Sequence, residues 1–464
     1  MSSPWINELE NSNKHRVINQ NIETEVVIVG GGIAGIITAF YTLERTNKKV
    51  TLLEAFKLVH GATGHNAGQV VGYFERPFTD IAREFGLGMA TKAQQDINSG
   101  WELLEDIIVT TGIKIDFQQF WGWAGCQNIQ ELIPKLENDY LRNLAGMDIN
   151  NCLVDQSWEE HLQIPKHLAG TYTLVDNAQI KRNLNTEADG FIACLGTRKG
   201  TINSALLCEK VIKFLITKYE PRFQIFEHSL VKVIDLVGKR ASLEVLPGQE
   251  YIKQQNAPEL LNQTFQINTD HVILCTNGFK NFTILTNNKK LNDTFQGNIS
   301  GLVGYMTGYL DDKELNSTAI TYFLTELGRE GGPEAYFYLT RRKYGVEHRN
   351  LTCIGGPDLL LPPNQHYDRH SSYIAAGQNK IDNFLRRYYE FLPKDKIDYK
   401  FHWHGLMGYT SNGLRMIGTE PTDPKLLYNL GCNGIGILPS IFGGFKIGQI
   451  LAGQKFDPSI FDPK

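Results

Sequence analysis

Three glycines at positions 30, 32 and 35, in the run EVVIVGGGIAG, stand in the G-x-G-x-x-G spacing behind five mainly branched apolar residues. This is the chemistry of a dinucleotide site. Gly30 allows a tight turn, Gly32 lets backbone approach a pyrophosphate, and Gly35 lets the next helix lie close on its strand. Free N–H groups at the helix start, Ile33 and Ala34, then face the phosphates, where the helix dipole favours negative charge. Glu54 ends the run VTLL 19 positions after Gly35, close to the spacing of about 20 expected for a carboxylate accepting from a ribose hydroxyl. An acid there disfavours a 2′-phosphate. A second set, Gly431, Gly434 and Gly436 in LGCNGIGILPS, precedes another helical stretch near the end of the chain. A nicotinamide site needs only the first set.

The elements that must position these residues are partly legible. Residues 25–29 read as a fully buried parallel strand, 33–45 as its crossover helix, and 49–53 as the second strand. An apolar stripe over 89–109 predicts a helix, 113–125 alternates as a strand, and 128–143 reads as helical. Residues 150–200 look irregular. A helix is expected over 204–219, a hairpin over 229–246 around Gly238, and a polar surface insertion over 247–264. HVILCTNGF reads as a buried strand ending in a glycine turn. Strand-like patterns follow from 298 to 356, then a helix over 379–391 and a closing helix.

With 464 residues, 42% apolar and 21% charged, the chain has the composition of a globular protein of two domains or one elaborated domain. A net charge of −4 with no basic cluster gives no reason to expect nucleic acid as a partner. No apolar run has the length to span a bilayer, and the polar N-terminus lacks the apolar core of a secretory signal. The seven scattered cysteines contain no C-x-x-C pair, so no metal site or disulfide framework is expected, and the compartment reads as the cytoplasm.

Four segments together resemble the FAD-dependent amine and amino-acid oxidases of the D-amino-acid oxidase, glycine oxidase and sarcosine oxidase type. They are VVIVGGGIAG with Glu54, GATGHNAGQ at 61–69, VILCTNGF at 272–279, and WHGLMGYTSNGLRMIG followed by LGCNGIGILPSIFGG at 403–418 and 430–444. Gln69 and the TNG triplet look most like the gamma-glutamylputrescine oxidase branch. The resemblance implies an α/β fold: a Rossmann-like, glutathione-reductase-like FAD-binding domain with a discontinuous α+β substrate domain, whose antiparallel sheet roofs the flavin. The corresponding boundaries are 22–100, 190–285 and 400–455 for the first, 101–189 and 286–399 for the second, and 1–21 as an N-terminal extension. By that similarity FAD is held by Gly30, Gly32, Ile33, Ala34, Gly35, Glu54 and Ala55. The 61–69 loop adds Ala62, Thr63, Gly64, His65, Asn66, Gly68 and Gln69. Val231 matches the backbone position that clasps adenine, and Thr276, Asn277, Gly278 and Gly405 also match cofactor positions. Gly434, Gly436, Ile437 and Leu438 would meet the flavin's pyrimidine side.

The implied reaction oxidises a C–N bond of a small amine or amino acid to an imine by hydride transfer to flavin N5. The electron acceptor is left open among oxygen, a quinone and an electron-transfer protein, and the catalytic residue is left unknown. Tyr305, Tyr336, Tyr338 and Arg341 are candidates, with Arg342 beside the last. Relatives that grip a substrate carboxylate carry arginine where Met407 stands, and a thioether cannot replace a guanidinium clamp. Arg415 occupies a slot usually held by proline and reads as a surface or structural residue. His65 replaces the arginine of most relatives. It is either a substitute for that arginine touching phosphate or, as in dimethylglycine and sarcosine dehydrogenase-like members, a covalent ligand of the flavin. His402 and His404 flank Trp403 without a third metal ligand. The alternatives are the oxidase domain of a tRNA-modifying enzyme, disfavoured by the acidic balance, and a flavin-binding relative without amine turnover.

Overall fold

The computed structural model describes residues 3–10, 16–158, 163–255, 258–260, 263–311, 316–325, 336–345, 347, 349–361, 366–389 and 397–464. A six-stranded sheet runs in the order Met416–Thr419, Leu426–Leu430, His271–Leu274, Val26–Val29, Val50–Leu53, Phe223–Phe226. Its pairs are parallel except for the antiparallel hairpin at its first edge. The runs VVIV and VTLL are buried throughout, as strands covered on both faces must be. Alternation along them divides two cores. Val26, Ile28, Val50 and Leu52 point to helices Ile33–Arg45 and Ile437–Leu451. Val27, Val29 and Leu53 point to a five-stranded sheet that contains the expected hairpin, Ser229–Asp235 with Ala241–Pro247.

The third sheet is the largest. It follows the order Leu359–Leu360, Ile299–Asp311, Arg349–Gly355, Phe337–Tyr344, Thr318–Phe323, Phe117–Cys126, Ala193–Ile202, Asn151–Asp155, Thr173–Val175. Phe401–Thr410 pairs antiparallel with Ile299–Asp311 along its whole length, and Gln69–Val71 joins Ala193–Ile202. The architecture is thus the mixed α/β plan expected, with a Rossmann-like parallel sheet.

Several local expectations needed correction. The stripe over 89–109 is two helices, Leu87–Asn98 and Gly100–Thr111. They meet where Gly100 packs against Leu438, so closely that a Cβ would lie 2.9 Å from the leucine Cβ. The described residues of 150–200 are not irregular: they hold three strands and the helix Asn177–Leu184. In Ala193–Ile202, ACLGTRKGTI, two glycines and two cations hide the apolar alternation. That strand and Phe401–Thr410, grouped by sequence with the cofactor-binding segments, hydrogen-bond into the large sheet. The helix expected over 379–391 spans Tyr373–Tyr388, and residues 390 and 391 lie outside the described residues. So do 256, 257, 261 and 262 of the polar insertion, whose described part includes the helix Gln249–Gln255.

The N-terminal segment is built in. Pro4–Asn7 is a short helix capped by the Ser3 side chain, and Trp5 is fully buried. The Glu8 carboxylate accepts from Arg342 Nη1 at 3.2 Å, Asn203 Nδ2 at 2.9 Å and the Gly345 amide at 3.0 Å.

Candidate active site: two glycine turns and a polar cluster

The first glycine turn closes around Glu54. Gly30 has φ +111°, and a Cβ there would lie 2.6 Å from the Cys275 carbonyl oxygen, so no other residue fits. The Glu54 carboxylate accepts from the Gly31 amide at 2.7 Å and the Phe56 amide at 2.9 Å. Burial raises its pKa, against the lowering by those two amides. No side chain caps Ile33–Arg45 at Gly32, but the Ile33 amide donates to Thr63 Oγ1 at 2.9 Å. The 61–69 loop therefore sits on the helix start. Ala55 follows Glu54 directly, and Val231 borders a register irregularity between Val231 and Val233 in the adjoining hairpin, where a residue leaves the ladder.

Asn66 organises the loop. Its side chain donates to the Ala62 and Thr63 carbonyls and to Ser204 Oγ, and accepts from the Gly68 amide. Its own carbonyl receives two indole N–H groups, Trp5 at 2.6 Å and Trp403 at 3.2 Å. His65 Nδ1 lies 3.0 Å from the Gly61 carbonyl, and burial pushes its pKa down to about 4. Its imidazole is neutral at physiological pH. Position 405 has to be glycine, because a Cβ would meet the His65 carbonyl at 2.6 Å. Gln69 donates to the Leu339 carbonyl, tying the loop's end to the large sheet.

The segment 275–277 brings the two glycine turns together. Cys275 closes on Gly30 at one end. At the other, Asn277 Oδ1 accepts from the Cys432 amide at 3.0 Å. Between them Thr276 Oγ1 is buried with no hydrogen-bond partner, the mark of a group awaiting a ligand. Gly278 abuts Leu406 and Met407. In the second turn Gly434 takes φ +82°, and helix Ile437–Leu451 starts at Gly436 without a side-chain cap. The amides of Ile437 and Leu438 are thus at an open, electropositive helix end.

A family model described as DAO, FAD dependent oxidoreductase, matches residues 25–449. The chain belongs to this FAD-dependent family. The residues present fit FAD: an uncapped helix end, an orphan hydroxyl at Thr276, and glycines where any side chain would collide. Gamma-glutamylputrescine oxidoreductase of Escherichia coli is 30% identical over 101 residues, 22% of this chain and 24% of that protein. The matched stretch therefore spans about a quarter of that relative. Glycine oxidase from Geobacillus kaustophilus superposes with a TM-score of 0.62 at 14% identity, covering 95% of this chain and 98% of that one. L-proline dehydrogenase from P. horikoshii gives 0.64 at 16% identity, covering 95% and 97%. These two likenesses establish a shared fold.

Beside the glycine turns the large sheet presents a polar cluster. Tyr336 OH donates to Glu75 Oε1 at 2.8 Å, and Tyr338 OH donates to Asp358 Oδ1 at 3.4 Å. A Cβ on Gly304 would lie 3.3 Å from Met407 Cε, 3.4 Å from Asp358 Oδ1 and 3.5 Å from Tyr338 OH, so three groups converge over that glycine. A Cβ on Gly434 would lie 2.7 Å from Glu75 Cγ and 3.0 Å from Tyr409 OH. The cluster thus adjoins the second glycine turn. Burial, then the charge of Glu75, raises the Asp358 pKa to about 7. Burial lowers Lys199 to about 8; its Nζ donates to Thr321 Oγ1 at 3.4 Å.

The sequence candidates divide by strand face. Tyr336 and Tyr338 lie in the cluster. Tyr305 does not: it packs in the core with Phe384 and Ile381, on the opposite face of its strand from Gly304. Arg341 shares a face with Phe337 and Leu339, away from Tyr338, and sits 5.8 Å from the Tyr389 ring. Arg342 is engaged by Glu8. Arg415 is buried and donates to the side chain and carbonyl of Asn429, which is the structural one of its two expected roles and not the surface one. His404 is buried between Tyr367 OH and the Ser371 carbonyl, while His402 faces the Tyr399 ring. Glu75, Asp358 and Lys199 escaped the sequence reading. Glu75 alone had a signal, since it follows the 61–69 loop by a few residues. Arg369, 3.7 Å above the Phe56 ring, was also missed.

Proposed function

We propose that this FAD-dependent oxidoreductase oxidises a C–N bond of a small amine or amino acid. One observation carries the reading: the carboxylate-and-tyrosine cluster of the large sheet touches Gly434, the turn that leads into the open helix end. A substrate held there lies beside the cofactor turn. FAD, when bound, supplies the acceptor for the hydride equivalent that leaves the substrate carbon. The protein orients the substrate against Tyr336, Tyr338 and Met407, while Glu75 and Asp358 set the local charge. The uncapped amides of Ile437 and Leu438 favour negative charge on whatever faces them. The segments proposed to bind FAD are 22–100, 190–285 and 400–455, with the strand exchanges noted above. No helix among the described residues is long and apolar enough to cross a membrane; a cytoplasmic location is part of the proposal.

Anaerobic mixing of the yellow protein with polyamines, N-methylated amino acids and free amino acids tests the reading. Bleaching of the flavin band by one of these classes is expected, and readmitting air then tells oxygen from other acceptors. A flavin that no C–N compound bleaches refutes it. Acid precipitation bears on His65: with its ring buried and turned to Gly61, FAD should be released, and flavin retained in the pellet would assign a covalent bond.

A further inference from the structure

We propose that Arg369 binds the diphosphate of FAD: residues 366–371 close the crevice over the first glycine turn, and this guanidinium is the positive charge they bring to it. The assignment goes beyond the C–N reading and holds whatever compound is oxidised.

Its basis is the place of two side chains on the parallel sheet. His271–Leu274 and Val50–Leu53 flank Val26–Val29 on either side, two strand spacings or about 10 Å apart. Gly30 follows the middle strand. Phe56 lies three residues beyond Leu53, and Phe279 five beyond Leu274. The Tyr367 ring meets the Phe279 ring edge-on at 5.9 Å, and Arg369 Cζ lies 3.7 Å from the centre of the Phe56 ring. One short segment thus touches the chain beyond both flanking strands, and so lies across the end of the middle one. Dinucleotides bind in that crevice, outside the carboxyl ends of parallel strands.

The segment is fastened there. Tyr367 OH donates to His404 Nδ1 at 2.9 Å, and His404 Nε2 donates to the Ser371 carbonyl at 3.1 Å. His404 precedes Gly405, which packs on the His65 carbonyl. The strand that seats the 61–69 loop therefore also holds the segment facing it.

Chemistry singles out Arg369 within the segment. A guanidinium lying on a ring keeps its in-plane N–H groups for an anion, which it can grip with two parallel bonds. Phe56 carries Arg369 on its ring while its amide donates to Glu54, so the cation stands beside the acid expected at the ribose. Both Glu54 oxygens are already held by amides. Burial makes His60 and His65 neutral, and the charge of Arg369 adds to that push; the same charge opposes the burial that raises Glu54. The two histidines thus offer phosphate no positive charge. Lys57 is exposed, and its charge falls on His60 and Glu227. Among the described residues, Arg369 is the cation whose charge reaches Glu54, His60 and His65 together.

The test adds ADP or adenosine to the FAD-loaded enzyme and follows the rise in fluorescence as FAD is displaced. The ratio of the two displacing concentrations isolates the diphosphate, since adenosine lacks it. ADP is expected to displace FAD at the lower concentration from the wild-type protein. Arg369→Gln should shrink that preference about tenfold, the low end for losing a charge-assisted hydrogen bond, because Arg369 is only half-buried. Arg369→Lys, which keeps the charge, should fall between the two. A glutamine variant with an unchanged preference, or a lysine variant no better than it, overturns the assignment even where FAD itself is held less well, because such a loss is one of packing. ADP no better than adenosine on the wild-type protein overturns it whether or not the variants fold. None of these results touches the C–N reading, which flavin bleaching decides.

Discussion

Removing the Glu8 carboxylate should destabilise the protein far more than its place near the chain's start suggests. The Arg342 and Glu8 side chains are 4% and 5% exposed and meet at 3.2 Å. With Glu8→Ala the guanidinium keeps Asp116 at 3.8 Å and the Trp5 ring at 5.6 Å, neither of which replaces a direct bond. Its Nε already lacks a hydrogen-bond partner. Breaking a buried pair from one side costs about 3–5 kcal/mol, because the remaining charge stays desolvated. Replacing both residues by methionine leaves no orphan charge, so the double variant should lie closer to wild type than Glu8→Ala does. The assay is urea unfolding of wild type, Glu8→Ala and the double methionine variant, followed by tryptophan and flavin fluorescence. Trp5 Nε1 holds the Asn66 carbonyl of the cofactor loop. Glu8→Ala should therefore release FAD at lower urea than it loses the bulk of its fold. A Glu8→Ala variant within about 1 kcal/mol of wild type, or a double variant less stable than Glu8→Ala, would refute the reasoning.

Gly434→Ala should weaken FAD binding by about tenfold or more, since left-handed backbone costs an L residue roughly 1–2 kcal/mol and the new methyl would press on Glu75; equilibrium dialysis measures it. Asp139 is fully buried, and burial raises its pKa to about 6 despite the opposing Arg142. An acid raised in the folded state contributes stability below its unfolded pKa and loses it as pH rises through the folded value. Apparent stability should fall between pH 4 and pH 7 by an amount on the order of 3 kcal/mol, and Asp139→Asn should flatten that slope in pH-dependent urea titrations.

The backbone of the proposed cofactor half was legible because its signals are local. A strand, a glycine turn and a helix in succession force one backbone path, and Glu54 follows at a fixed reach. The substrate half depends on strand register, which no local signal carries. Tyr305 and Tyr338 look alike as sequence, yet one points into an apolar core and the other to Asp358, because a shift of one residue exchanges the two faces. Glu75 and Asp358 come from opposite halves of the chain and meet only through the large sheet. The buried N-terminal helix was illegible for another reason: one tryptophan among polar residues has no period to detect.

Phe401–Thr410 places Trp403 on the cofactor loop and Met407 in the polar cluster along a single ladder-bound strand. The two halves of the site are consequently set by one ruler, and neither can drift without the other. New preferences can then arise by exchanging the residues at 304, 358 and 407 while the dinucleotide cradle stays as it is. Such a layout lets a lineage retune what it consumes without relearning how to hold its redox partner.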